Sequence, residues 1–167
     1  KKNKDSDFKK ILIALDLNGV LGYISPVKNY AKETKFLFDK QPNKVLREHN
    51  VFYRPHLDQF LNTLFVKVNI FNLEKTYFDV AVWSCQDKEQ TALQIESFFG
   101  ILRYNLKFAL FTKKTTDDDL TPSPVKKDLN VIFEKHTQYT KENTLLISNF
   151  KNEMSEYRSN EIIIPMY

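Results

Sequence analysis

Apolar residues in this chain come in short runs that stop abruptly at a polar residue. Ile11-Leu12-Ile13-Ala14-Leu15 ends at Asp16, Phe78-Asp79-Val80-Ala81-Val82-Trp83 ends at Ser84, and Thr144-Leu145-Leu146-Ile147 ends at Ser148-Asn149. Consecutive apolar positions over so short a length predict strands buried on both faces, the pattern of a parallel sheet. Helical spacing fills the intervals. Pro55 opens a predicted helix from His56 to about Val68, with Leu57, Phe60, Leu61 and Leu64 on one face. Asp87 and Lys88 open another, whose apolar positions include Ala92, Leu93, Ile95, Phe98 and Phe99, and which Gly100 stops. Phe108 to Phe111 and Glu161 to Ile164 read as short strands, and Val131 to about Lys135 as a short helix.

Alternation of strand and helix predicts an α/β protein of the three-layer, Rossmann-like kind. Its sheet is mainly parallel, with helices on both faces and a small insertion after the first strand. Residues 10–167 form one domain behind a polar lead-in at 1–9. The segment 22–50, with Tyr23, Tyr30, Phe36 and Phe38, is an insertion expected to carry a hairpin, and 69–77 is a second insertion. Thr112 to Pro124, with Asp117-Asp118-Asp119 and its prolines, reads as a loop. Ligands of such sheets bind at the carboxyl ends of the strands. Three polar pairs fall there: Asp16/Asn18, Ser84/Cys85 and Ser148/Asn149.

Composition narrows the function. The chain's 167 residues suit one domain with a real core. The formal charge of +4 is spread along the sequence apart from Lys1-Lys2-Asn3-Lys4. It reads as a solvated basic face that would suit an acidic or phosphorylated partner, and it gives no direct indication of nucleic acid. Cys85 is the only cysteine, which excludes an internal disulfide and a thiolate metal cluster. A lone thiol without a visible base is a packing residue, not a nucleophile. His49, His56 and His136 lack metal-ligand spacing and read as surface or packing residues. No apolar run approaches the roughly 18 residues that span a membrane, and the expected setting is intracellular.

The motifs in order bring a family into view. Asp16-Leu17-Asn18-Gly19-Val20-Leu21 follows the first strand, Arg54-Pro55 precedes a helix, Ser84 ends a strand, Lys127-Asp128-Leu129 precedes another helix, and Ser148-Asn149 ends a third strand. The set resembles the haloacid dehalogenase superfamily, and within it the FCP/SCP-like small C-terminal-domain phosphatases. The resemblance covers about Lys10 to Tyr167. It implies that Asp16 holds the place of a nucleophile that forms an aspartyl-phosphate. It implies that Ser84 and Lys127 bind phosphate, with Lys126 as a neighbour that could take the lysine's role. A Mg²⁺ ion, if the chain is active, would be shared by Asp16, the Asn18 backbone carbonyl and the positions of Ser148 and Asn149; otherwise no cofactor is implied.

Two residues depart from the family pattern. Asn18 stands where a second aspartate serves as acid and base, and an amide does not titrate. Ser148 stands where a metal-binding carboxylate is expected. Asp117 to Asp119 could supply a replacement ligand, although a solvated loop is the simpler reading. Family members usually continue into a final helix, which is expected either to be absent here or to belong to a part of the protein outside these residues. The resulting expectation is a phosphatase-like domain with impaired catalysis that serves as a protein-binding or assembly module. A relative of this kind serves as a mitochondrial import receptor. The alternatives are a working Mg²⁺-dependent phosphoserine or phosphothreonine phosphatase, and a phosphopeptide-binding module without turnover.

Overall fold

The computed structural model describes residues 10–29, 41–70, 73–111, 127–149 and 155–167. Strand β1 (Ile11–Leu15) lies at the centre of a five-stranded sheet. It pairs in parallel with β7 (Phe78–Ser84) on one side and with β9 (Thr144–Ser148) on the other. Strands β8 (Ala109–Phe111) and β10 (Glu161–Ile163) add parallel edges, giving the order β10-β9-β1-β7-β8.

Side-chain alternation along β1 and β7 divides the core in two. Ile13, Leu15, Val80 and Val82 face one cluster, which takes in Leu57, Leu61 and Leu64 of helix α1 (Leu57–Phe65) and Phe98 and Phe99 of helix α2 (Lys88–Phe99). Leu12, Ala14, Ala81 and Trp83 face the other, closed by Leu129, Ile132 of helix α3 (Asn130–Lys135) and Tyr139. Both faces of the sheet are therefore covered by helix, as consecutive apolar strand positions require. Asp87 caps α2 by accepting from the Gln90 N–H at 2.8 Å, and Gly100 ends that helix with φ of 53°.

The insertion after β1 forms a small antiparallel sheet of β2 (Gly22–Pro26), β4 (His49–Tyr53) and β3 (Lys44–Leu46), in the order β2-β4-β3. It packs on α2, where the Tyr53 hydroxyl donates to the Ser97 carbonyl at 3.1 Å.

Both ends of helix α1 differ from expectation. Helix α1 begins at Leu57, since His56 is left-handed at φ of 65°, so Pro55 sits in the turn ahead of the helix and not in its first turn. The helix also ends at Phe65 and not near Val68. Lys67–Ile70 and Leu73–Thr76 are the hairpin strands β5 and β6. The β-branched Val66 and Val68 favour that extended conformation over a further helical turn. Tyr30, Phe36, Phe38, Lys126, the 112–124 segment and the lead-in lie outside the described residues.

Candidate functional site

The central strand carries Asp16 to the carboxyl edge of the sheet. Its N–H donates to the Ile147 carbonyl of β9 at 2.9 Å, continuing the β1–β9 ladder. The residue is 6% exposed. One carboxylate oxygen, Oδ1, accepts from the Leu17 N–H at 2.8 Å, and the other, Oδ2, meets Lys127 Nζ at 2.6 Å. Lys127 is itself 3% exposed. A buried charge is tolerated only when it is compensated, and here each ion compensates the other. The rest of the Lys127 triplet holds the lysine in place: Leu129 is buried in the core, and the Asp128 carboxylate accepts from the Asn130 N–H at 2.9 Å at the start of α3.

The neighbouring strands deliver the other candidates to the same edge. Ser84, at the end of β7, is buried, and its Oγ accepts from the Gln86 N–H at 3.1 Å. Ser148 is buried at the end of β9. Asn149 follows it, with both side-chain polar atoms buried and unpartnered among the described residues. Its amide packs against the Cα of Gly19, where any Cβ would collide with it. Asn18 Oδ1 is likewise buried without a partner. Sequence reasoning thus nominated residues that the fold gathers at the ends of three adjacent strands.

The turn after Asp16 is tightly built. Val20 and Leu21 N–H both donate to the Leu17 carbonyl, and the Gly19 N–H donates to the Gly22 carbonyl at 2.7 Å. Gly19 has φ of 78°, a conformation that glycine adopts without strain. Arg54 grips this turn from the end of β4. Its Nε donates to the Val20 carbonyl at 2.6 Å, and its Nη2 to the carbonyls of Gly19 at 2.7 Å and Pro165 at 2.6 Å. Tyr167 stacks over the guanidinium at 5.4 Å and donates its N–H to the Gly19 carbonyl at 3.0 Å. The Arg54-Pro55 pair was visible in the sequence, but as a helix opening; its clamping role depends on carbonyls that only the tertiary fold brings together. Tyr167 carried no sequence signal.

Residues outside this edge do other work. Cys85 is half-buried just past Ser84. His136 stacks on Phe108 at 4.0 Å, His49 Nδ1 lies 2.7 Å from the Arg47 carbonyl, and His56 forms the left-handed residue before α1. No cluster of His, Cys, Asp and Glu able to hold a metal occurs among the described residues, so a cation held by these residues alone would need backbone or amide oxygens besides a carboxylate. No helix among them is long and apolar enough to cross a membrane.

A parallel α/β sheet with an aspartate at the end of its central strand, a lysine paired to it and an antiparallel insertion immediately after defines a phosphatase-like domain of the haloacid dehalogenase type. Residues 11–167 match the family described as NLI interacting factor-like phosphatase, and the chain belongs to that family. No curated protein matches the chain. Among solved structures it is similar to Fcp1, an essential RNA polymerase II CTD phosphatase, with a TM-score of 0.56, 14% identity and coverage of 96% of this chain and 43% of that one. Fission yeast Fcp1-R271A bound to beryllium fluoride gives a TM-score of 0.57 at 15% identity, again over 96% and 43%. The chain spans less than half the length of these proteins, and at such identity the likeness is one of fold.

Proposed function

We propose that this is a catalytically impaired phosphatase-like domain that keeps a phosphate-binding cradle and acts chiefly through protein binding. The observation that carries this reading is the buried Asp16–Lys127 pair standing beside Asn18. Asp16 is placed to attack phosphorus, Lys127 to neutralise the incoming phosphate, and Ser84 to donate its hydroxyl. Asn18 can donate and accept hydrogen bonds but cannot protonate a leaving oxygen or activate water. Losing a general acid/base costs a rate factor of roughly 10² to 10⁴. Phosphoryl transfer depends mostly on positioning and charge neutralisation, so slow turnover is compatible with this site.

The donor set fits Mg²⁺, in a weakened form. The Asp16 carboxylate, the Asn18 backbone carbonyl and the buried, unpartnered Asn149 Oδ1 would hold the ion, which would supply charge neutralisation at phosphate. Ser148 contributes no charge there. A single carboxylate already shared with Lys127 implies weaker affinity than two carboxylates would give.

A protein-binding role draws support from the insertion. Pro26, Val27, Lys28, Val45, Glu48 and His49 line a cavity of about 640 Å³ on the small sheet, and Val27 and Val45 are exposed there. Loops and insertions at the ends of strands commonly carry recognition.

Hydrolysis of an aryl phosphate, measured with and without Mg²⁺, tests the proposal. The expected result is turnover near background in the unmodified chain and a marked gain in Asn18→Asp. Robust Mg²⁺-dependent turnover that disappears in Asp16→Asn would instead establish a working phosphatase.

A further inference from the structure

Asn18 and Gly19 form the only Asn-Gly pair in the chain. An asparagine followed by glycine is chemically labile, because no Cβ shields the backbone nitrogen that attacks the side-chain amide. We propose that Asn18 is a self-modification site whose slow deamidation generates the aspartate that the motif lacks. The inference rests on the functional reading above only for the consequence of the change; the chemistry is independent of it.

The step balances with water alone. The Gly19 backbone nitrogen, losing its proton to solvent, attacks Asn18 Cγ; the C–N bond to the side-chain amide breaks and ammonia leaves. The resulting cyclic imide adds water at either carbonyl. Adding water at Cγ breaks the new bond from Asn18 Cγ to the Gly19 nitrogen and restores the backbone with a carboxylate at position 18, while adding it at the Asn18 main-chain carbonyl breaks the peptide bond to Gly19 and gives isoaspartate.

The fold sets the rate. In the closed turn the Gly19 N–H is bonded to the Gly22 carbonyl at 2.7 Å, and Asn18 bridges to Gly22. That bond must open before the nitrogen can attack. The turn is held shut by the Arg54 fork on the Gly19, Val20 and Pro165 carbonyls and by the Tyr167 N–H on Gly19. Deamidation is therefore gated by local opening of this turn, as exchange of a protected amide is. Nothing holds the Asn18 carbonyl oxygen in return: Oδ1 is buried without a hydrogen-bond donor among the described residues. A carboxylate there would stand two residues after Asp16, at the position that the resemblance gives to the family's acid/base residue.

Peptide mapping by mass spectrometry tests this on the full chain, incubated in mildly alkaline buffer, with a separate assay for isoaspartate. An unfolded peptide spanning residues 11–22 sets the unprotected rate. The expected result is amide-to-acid conversion at residue 18, slower in the folded chain than in the peptide and several-fold faster in Arg54→Lys, which keeps the charge but not the three-carbonyl fork. Asn18→Gln, whose ring closure is far less favourable, should not convert. No conversion in the folded chain while the peptide reacts would overturn the proposal, as would conversion to isoaspartate alone or an Arg54→Lys rate equal to that of the unmodified chain. The mass readout does not depend on activity. If residue 18 converts and Asn18→Asp still hydrolyses nothing, the modification stands and the phosphate-cradle reading fails.

Discussion

At the scale of single residues, the site turns on how one carboxylate is compensated. Asp16 and Lys127 are both buried and lie 2.6 Å apart. Lys127→Met should leave the carboxylate buried and unpaired, at a cost of about 3 to 5 kcal/mol, read as a lower midpoint in urea unfolding. The double variant Asp16→Asn with Lys127→Met should recover much of that loss, because it removes both charges; a double variant no more stable than the single one would contradict the pairing. Gly19 and Gly22 are constrained for different reasons. Gly19 needs a positive φ and leaves room for the Asn149 amide, whereas a Cβ on Gly22 would collide with the Phe52 carbonyl and come within 2.7 Å of a Phe98 ring carbon. Gly22→Ala should therefore destabilise by about 1 to 3 kcal/mol and disturb the contact between the insertion and α2.

At the scale of elements, the ends of strands and helices carry most of the meaning. Asp87 accepts from Gln90 N–H at the start of α2, directly after the strand end that bears Ser84. Asp87→Ala should cost about 1 kcal/mol, measurable as a lowered thermal midpoint, with little change in the sheet. The strands of the main sheet were legible from their apolar runs, and so was α2, whose acidic cap and terminal glycine bracket it. Helix α1 was overextended in the sequence reading. Its apolar spacing continues toward Val68, but hairpin pairing of Lys67–Ile70 with Leu73–Thr76 takes that segment instead. Backbone pairing with a later segment overrides local periodicity, and periodicity does not register it.

At the scale of the whole molecule, the two ends of the sheet do different work. The carboxyl end gathers Asp16, Ser84, Lys127, Ser148 and Asn149. The opposite end holds a second buried acid, Asp79, whose carboxylate accepts from the Tyr139 hydroxyl at 2.9 Å and pairs with Lys10 at 3.5 Å and Lys107 at 3.4 Å. Burial and the Asp79 carboxylate push the Tyr139 phenol up to about 12. The folded state thus keeps a proton that the unfolded chain loses near pH 10. This contribution to stability is complete below about pH 10 and falls away as pH rises toward 12. Tyr139→Phe should weaken that alkaline dependence in a pH series of denaturation curves; an unchanged slope would count against the buried bond. The sequence by itself determined the layered α/β fold, the polar residues at the strand ends and the amide at position 18, since these follow from short-range apolar patterning and residue identity. Only the tertiary structure decided that Asp16 is compensated by Lys127, that Asn149 lies against Gly19 and that Arg54 locks the turn between them. Each of those contacts joins segments far apart in the chain, and their partners are backbone carbonyls or buried charges whose meeting no local pattern encodes.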